Sequence, residues 1–549
     1  MAVACAVLMG RAVQLQLVDQ DFLNHQADAR QLRNIELSSH RGTITDRNGE
    51  ALAVSTPVDS LWVDPGDLLN VPDEIPRLAR LLNENANDLK ARISRNADKN
   101  FLYLKRRINP SVAAKVVTAG IPGVHLQREY RRYYPVGQVT GHLIGFTNID
   151  DIGQEGIELA FDHRLAGKPG KALILKDRLG RVVDVVERRA APEPGQDIAT
   201  SIDLRIQYLA YRELTRAVQQ HKARSGSAVV VDVTTGEVLA LVNQPTYNPN
   251  DGADKVPARY RNRAITDIFE PGSSLKPLVI AAALESGEYR PDSRVDTNPG
   301  YLQVGIKKIE DSENLGRINL GTVLARSSNV AASKIALSLE PEQLWGVLDE
   351  FGLGRPTGSG FPGESAGILS HFGNWRDISR ATLAYGYGLS VTPLQLAQAY
   401  AAIGSGGLLR PVSLLRLNEP QFPRRVLSER NARAVLDLME NVVAPDGTGY
   451  RAAVPGYRIA GKTGTTQKAT AGGYSAERYT ATFVGLAPAG NPRLAVVVVI
   501  DEPANGEYYG GKVAAPVFAN IVAGATRILA IPPDDMRDRQ GELTVAARE

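Results

Sequence analysis

The chain has 549 residues, a formal net charge of +3, 22% charged and 43% hydrophobic residues, and one cysteine, Cys5. That composition is globular and near charge balance, which excludes a disordered chain and argues against a nucleic-acid partner. A lone cysteine excludes an intramolecular disulfide, and the length requires two or three domains.

In chain order, residues 2–9 form an apolar run far short of the ~20 needed to span a bilayer. Gly10 and Arg11 interrupt it, and residues 12–18 are amphipathic. No charged leader or small-residue cleavage site marks a complete signal peptide. We read residues 1–18 as the remnant of an N-terminal membrane anchor; a short packed helix is the alternative. Residues 19–198 alternate short strands with charged turns, with a helical insert from Leu78 to Asn100 and a linker at Ala190 to Gly195. Residues 199–532 read as one α/β domain. Leu204, Tyr208, Tyr211 and Val218 keep helical spacing across Asp203 to His221. Ser227 to Val233 and Glu237 to Val242 predict two strands joined at Thr234-Thr235-Gly236. A largely helical middle follows, broken by loops such as Gly352 to Gly367. Tyr457 to Thr465 predicts a strand, Thr480 to Ala487 and Arg493 to Ile500 a hairpin around Gly490-Asn491, and Pro516 to Ala530 a closing helix. Helices first and last around an antiparallel sheet suit an α+β sandwich with an inserted helical lobe. The polar tail, residues 533–549, is expected to be disordered.

Three short motifs carry chemistry. Ser273-Ser274-Leu275-Lys276 is an S-x-x-K pair, Ser327-Ser328-Asn329 an S-x-N turn and Lys462-Thr463-Gly464-Thr465 a K-T-G strand. About one S-x-x-K is expected by chance in a chain this long, so the ordered set of three carries the weight. Positions three apart share a helix face, so Ser273 can meet Lys276 while Ser274 points elsewhere. A serine is a poor nucleophile until a base takes its proton. Lysine, with a free pKa of about 10.4, serves as that base only if burial or a second cation depresses it. Lys462 is the candidate second cation. Strand alternation sets Lys462 and Gly464 on one face and Thr463 and Thr465 on the other, so aiming all of them at one ligand needs a distortion at Gly461 or Gly464, or a close approach there by substrate backbone. A second S-x-N match, Ser312-Glu313-Asn314, lies in a polar run, 307–316, expected to be a surface loop. The S-x-x-K pair also fits a helix-capping serine with a surface lysine, and Ser328 or Asn329 fits a helix cap. None of the seven histidines has a triad or zinc pattern, so no metal or cofactor is expected.

On these motifs the chain resembles the class B penicillin-binding proteins of the division-specific transpeptidase type. Arg41-Gly42-Thr43-Ile44-Thr45-Asp46-Arg47-Asn48-Gly49, Arg132-Tyr133-Tyr134-Pro135-Val136-Gly137 and Gly153-Gln154-Glu155-Gly156-Ile157-Glu158, followed by Asp162 and Gly167, look like the family's three non-catalytic boxes. Gln244 to Asn250 and Tyr385 to Pro393 extend the likeness. The resemblance implies a multidomain α/β protein: a pedestal (dimerisation) domain at 19–198 and a β-lactamase-like transpeptidase domain at 199–532. It implies that Ser273 attacks the D-Ala-D-Ala carbonyl of a peptidoglycan stem peptide. Lys276 would be the base, Ser327 the proton relay and Asn329 a backbone ligand. Lys462, Thr463, Gly464 and Thr465 would receive the terminal carboxylate or a β-lactam, and the N–H groups of Ser273 and Thr465 would form the oxyanion hole. It further implies a single-pass inner-membrane protein with a periplasmic catalytic domain, an FtsW-type glycosyltransferase and other divisome proteins as partners, and a role in septal crosslinking. An elongation-type transpeptidase, a D,D-carboxypeptidase and a β-lactam-binding scaffold without turnover stay open.

Overall fold

A computed structural model of the protein describes residues 8–11, 13–14, 32–176, 182–254, 256–470 and 472–535. Most of the expected anchor and nearly all of the expected tail lie outside these. No helix among the described residues is long and apolar enough to cross a membrane.

The amino-terminal part is built on strands β1 (Leu32–Leu37), β2 (Ile44–Thr45), β3 (Ala51–Val63), β4 (Leu102–Ile108), β5 (Val124–Tyr133), β6 (Gly170–Lys176), β7 (Val182–Ala190) and β8 (Ile198–Ala199). They form a three-stranded sheet, β1-β6-β7, and a five-stranded sheet in which β3 pairs with both β4 and β5. The parallel pairing of β2 with β8 joins the start of this part to its end. The insert expected at 78–100 is two helices, α1 (Ile75–Leu82) and α2 (Ala86–Ser94), not one. Asn83 takes a left-handed φ of 56° that ends the first, and the Asn85 side chain caps the second. With α3 (Pro110–Ala119) they bury Leu61, Leu78, Leu89, Ile93 and Val116 in a small core of their own.

The carboxy-terminal part opens with α4 (Leu204–Gln220), capped by Asp203. Its buried stripe is Ile206, Ala210, Leu214 and Ala217; Tyr208, placed on that face by its spacing, is 55% exposed. The misreading has a cause: the stripe includes the polar Gln207, whose amide is satisfied by Val139 O, Leu241 O and Leu241 N–H. Strands β9 (Ser225–Asp232) and β10 (Val238–Gln244) follow as expected.

The small hairpin β11 (Tyr301–Val304) and β12 (Lys307–Glu310) replaces part of the loop expected at 307–316. It reads as polar because Ile309 is its one deeply buried apolar residue. Strands β13 (Ala460–Thr470), β14 (Gly473–Ala487) and β15 (Leu494–Asp501) complete an antiparallel sheet of order β10-β9-β15-β14-β13. The β9 and β15 runs are buried on both faces, hence the consecutive Val229–Val231 of the first and Val496–Ile500 of the second. Helices α4 and α9 (Ala515–Ile528) cover one face of the sheet. The other faces the helical lobe, whose members include α5 (Lys276–Glu285), α6 (Leu320–Ala325), α7 (Asn329–Ser338) and α8 (Pro393–Gly404).

The two parts are tied by polar contacts from the first two of the three boxes. Asp46 Oδ2 accepts from Leu204 N–H at 3.1 Å, Arg47 N–H donates to Ile202 O at 2.8 Å, and Asn250 exchanges two hydrogen bonds with the Tyr134 backbone. Within the pedestal, Glu158 is fully buried between Arg41 (2.5 Å) and Arg132 (2.6 Å).

Candidate active site

Ser273 lies on a 3₁₀ turn, Gly272–Leu275, that runs straight into α5. Gly272 has φ +57°, and a Cβ there would stand 2.3 Å from Thr466 Cγ2, so the turn can pass this close to β13 only without a side chain. Ser274 is buried and donates to Pro271 O at 2.6 Å, facing away from the site. Helix α5 is apolar on all sides, as a helix enclosed by core must be, and it carries Lys276 into that core with no solvent exposure.

Four groups surround Lys276 Nζ: Ser273 Oγ at 3.0 Å, Ser327 O at 2.6 Å, Ser327 Oγ at 3.1 Å and Asn329 Oδ1 at 2.8 Å. The two carbonyl oxygens can only accept. A neutral amine gives them its two N–H groups and keeps its lone pair for a hydroxyl hydrogen. Burial holds the Lys276 pKa well below 10.5, the charge of Lys462 adds to this, and the Asp311 carboxylate opposes it. Lys462 is likewise fully buried and is pushed down to about 7 by desolvation. Its Nζ donates to Ser327 Oγ at 3.0 Å, so that hydroxyl bridges the two lysines.

Ser327 holds a left-handed φ of 58° between α6 and α7. The turn is kept by Ser328, which caps α7 through Ala331 N–H, and by Asp311. Asp311 accepts from Ser328 Oγ (2.5 Å), Asn329 N–H (2.6 Å) and Val330 N–H (3.1 Å). Sequence reasoning missed Asp311: it lies just after β12, next to the Ser312–Asn314 match, and nothing local links it to a turn sixteen residues on. Asp311→Ala is expected to slow acylation of Ser273 by penicillin about tenfold, because Ser327 and Asn329 lose the anchor that holds them on Lys276; stopped-flow acylation kinetics measure this.

Strand β13 is the free edge of the sheet. It starts at Ala460, three residues later than Tyr457, and runs on to Thr470. Lys462 and Thr463 meet despite alternation because the lysine curls back, its Nζ 3.2 Å from Thr463 Oγ1. Gly461 and Gly464 are not gaps for a substrate. A Cβ on Gly461 would meet Phe483 Cζ at 2.6 Å, and one on Gly464 the Pro271 carbonyl at 2.8 Å, so both glycines serve close packing inside the protein. Thr465 Oγ1 accepts from Gly510 N–H at 3.0 Å. Ser273, Lys276, Ser327, Asn329 and Lys462 thus come together, with Thr463 and Thr465 beside them on the strand edge. The buried His142 is held neutral, its pKa pushed down to about 4 by desolvation, and its Nε2 lies 2.7 Å from Arg259 O. No group of three His, Cys, Asp or Glu side chains among the described residues could hold a metal ion.

A nucleophile turn, a two-lysine core and an edge strand, set between an antiparallel sheet and a helical lobe on a pedestal, define a serine acyltransferase. The sequence matches the family model of the penicillin binding protein transpeptidase domain over residues 226–523 and that of the penicillin-binding protein dimerisation domain over 36–200. It is 46% identical to the peptidoglycan D,D-transpeptidase FtsI of Escherichia coli, over 97% of this chain and 91% of that protein. It is 43% identical to the probable peptidoglycan D,D-transpeptidase PbpC of Pseudomonas aeruginosa, over 97% of this chain and 95% of that protein. Among solved structures, the transpeptidase domain of Burkholderia pseudomallei penicillin-binding protein 3 is 44% identical, with a TM-score of 0.57, covering 61% of this chain and 98% of that one. A peptidoglycan synthetase of Bifidobacterium adolescentis is 25% identical, with a TM-score of 0.75, covering 92% of this chain and 98% of that one. The chain belongs to the class B penicillin-binding proteins.

Proposed function

We propose that the protein is a septal peptidoglycan D,D-transpeptidase. The observation that carries the catalytic part of this reading is the Lys276 amine, buried, depressed in pKa and 3.0 Å from Ser273 Oγ. The septal assignment is supported by the likeness to FtsI. Ser273 Oγ attacks the carbonyl between the two terminal D-alanines while Lys276 takes its proton. Ser327, between the lysines, passes a proton to the departing amine, and D-alanine leaves. Lys462, Thr463 and Thr465 take the terminal carboxylate, and Gly464 lets their strand lie against the nucleophile turn. Asn329 holds the donor peptide's backbone. The Ser273 and Thr465 N–H groups receive the oxyanion: backbone directions repeat every second residue, and Gln467 N–H, two beyond Thr465, points off the free edge to Tyr387 OH at 3.2 Å. An amine of a second stem peptide then attacks the acyl-serine and forms the crosslink. A β-lactam acylates Ser273 in place of the donor. Inner-membrane anchoring through residues 1–18, a periplasmic catalytic domain at 199–532 above a pedestal at 19–198, and partnership with an FtsW-type glycosyltransferase and divisome proteins complete the reading. Intact-mass spectrometry with a labelled penicillin tests it. One adduct per chain, mapped to Ser273 and absent in Ser273→Ala, is expected; an adduct on another serine, or none, sinks the mechanism.

A further inference from the structure

Glu270 lies three residues before Ser273 and is partly exposed. One of its carboxylate oxygens, Oε1, accepts from Gly388 N–H at 2.8 Å and from Tyr474 OH at 2.9 Å. The Tyr474 ring stands edge-on to Tyr387 with centroids 5.0 Å apart, and Tyr387 is itself edge-on to Tyr385 at 5.6 Å. Tyr387 OH also accepts from Gln467 N–H, so the free edge of β13 ends there, two residues beyond Thr465. Glu270 also lines a cavity of 280 Å³, whose other charged lining residues are Asp267, Asp501, Arg263 and Lys468. Lys468 is already paired with Asp501 and Arg263 with Asp267, which leaves Glu270 as the uncompensated charge of the lining.

We propose that Glu270, between the Tyr387–Tyr474 rings and this cavity, is a specificity-determining site for an ammonium-bearing residue of the donor stem peptide. The inference rests on the transpeptidase reading. In a reaction that joins two stem peptides, one supplying an acyl group and the other an amine, every donor chain of the same composition also carries an amine. A peptide laid along β13 with its terminal carboxylate at Thr463 and Thr465 meets Tyr387 where the edge stops. There an ammonium finds the second carboxylate oxygen of Glu270 beside the aromatic pair Tyr387–Tyr474, a setting that favours a cation over a neutral group. Glu270 acts on binding and takes no part in bond making.

Thioester donors ending in D-alanine, with a lysyl-type ammonium or its N-acetyl derivative at the residue two before the scissile bond, test this on the full chain. The wild-type protein is expected to favour the ammonium donor about tenfold in kcat/KM, through KM. Glu270→Gln, which keeps an acceptor for Gly388 and Tyr474, is expected to erase that preference and leave the acetylated donor and penicillin acylation of Ser273 within twofold. Equal use of both donors by the wild type, or equal losses on both in Glu270→Gln, overturns the inference while acylation at Ser273 still upholds the transpeptidase reading. No acylation at Ser273 overturns both.

Discussion

Replacing Lys276 with methionine should lower acylation of Ser273 by roughly 100- to 10,000-fold, the range a positioned general base supplies, and at the same time stabilise the fold at neutral pH. Both effects have one origin. Lys276 is buried in an apolar helix beside a second buried amine, so the folded protein disfavours its charge. A lysine depressed by folding costs stability in full below its folded pKa, where both states are charged. The cost fades as pH rises towards 10.5, where the unfolded chain also loses the proton. For Lys462, pushed down to about 7, the window of recovery runs from about 7 to 10.5. Wild-type stability should therefore rise with pH across that window. Either lysine is a group whose charged form the folded core disfavours, so Lys276→Met or Lys462→Met should unfold at higher urea than the wild type at pH 6.5. The gap should narrow at pH 9.5. Equal urea midpoints at both pH values would show that the lysines are not charge-strained. Acylation should rise with pH as Lys276 deprotonates and decline as the lysine pair loses its remaining charge. Its two limbs belong to the coupled pair and should both move in Lys462→Met.

The largest loss of stability is expected in Glu158→Ala. The carboxylate is the shared partner of Arg41 and Arg132, whose side chains are each 1% exposed. Arg41 also reaches Asp162 at 2.7 Å and the Glu158 carbonyl at 2.6 Å, so it cannot swing out to water without giving those up. Removing the common anion strands two guanidinium groups in the interior, which costs about 3–5 kcal/mol for a broken buried pair. Over a domain of this size that lowers the unfolding temperature by ~10 °C, measurable by scanning calorimetry. Replacing all three together by apolar residues, Arg41→Met, Glu158→Leu and Arg132→Met, should restore part of the loss, because no buried guanidinium is left unpaired; Asp162 loses Arg41 but is about a third exposed and keeps the Gly153 N–H. A Glu158→Ala protein that melts within 2 °C of the wild type would remove the network from any account of pedestal stability. The acylation rate of the folded variant should stay within a fewfold, since Glu158 belongs to the pedestal and the Ser273 turn to the other domain.

Local spacing carried much of this protein into view before any coordinates. Three positions on a helix set Ser273 against Lys276 and excluded Ser274, because 3.6 residues per turn fixes relative direction. Strand segments joined at Thr234-Thr235-Gly236 and at Gly490-Asn491 marked the β9–β10 and β14–β15 hairpins, and the order of S-x-x-K, S-x-N and K-T-G led to the family. Where the chain misled, polar residues masked the element, one inside the fold and one at its surface. Gln207 hides the buried stripe of α4, and a polar run disguises the β11–β12 hairpin. Distances between segments far apart in sequence were not legible at all. That Ser327 Oγ bridges Lys276 and Lys462, that Asp311 pins the turn from a neighbouring hairpin, and that Glu270 meets Tyr474 across 204 residues depend on how the lobe and sheet close on each other. So does the charge state of both lysines, since a pKa is set by desolvation and neighbouring charge, and both exist only once the core has formed around them.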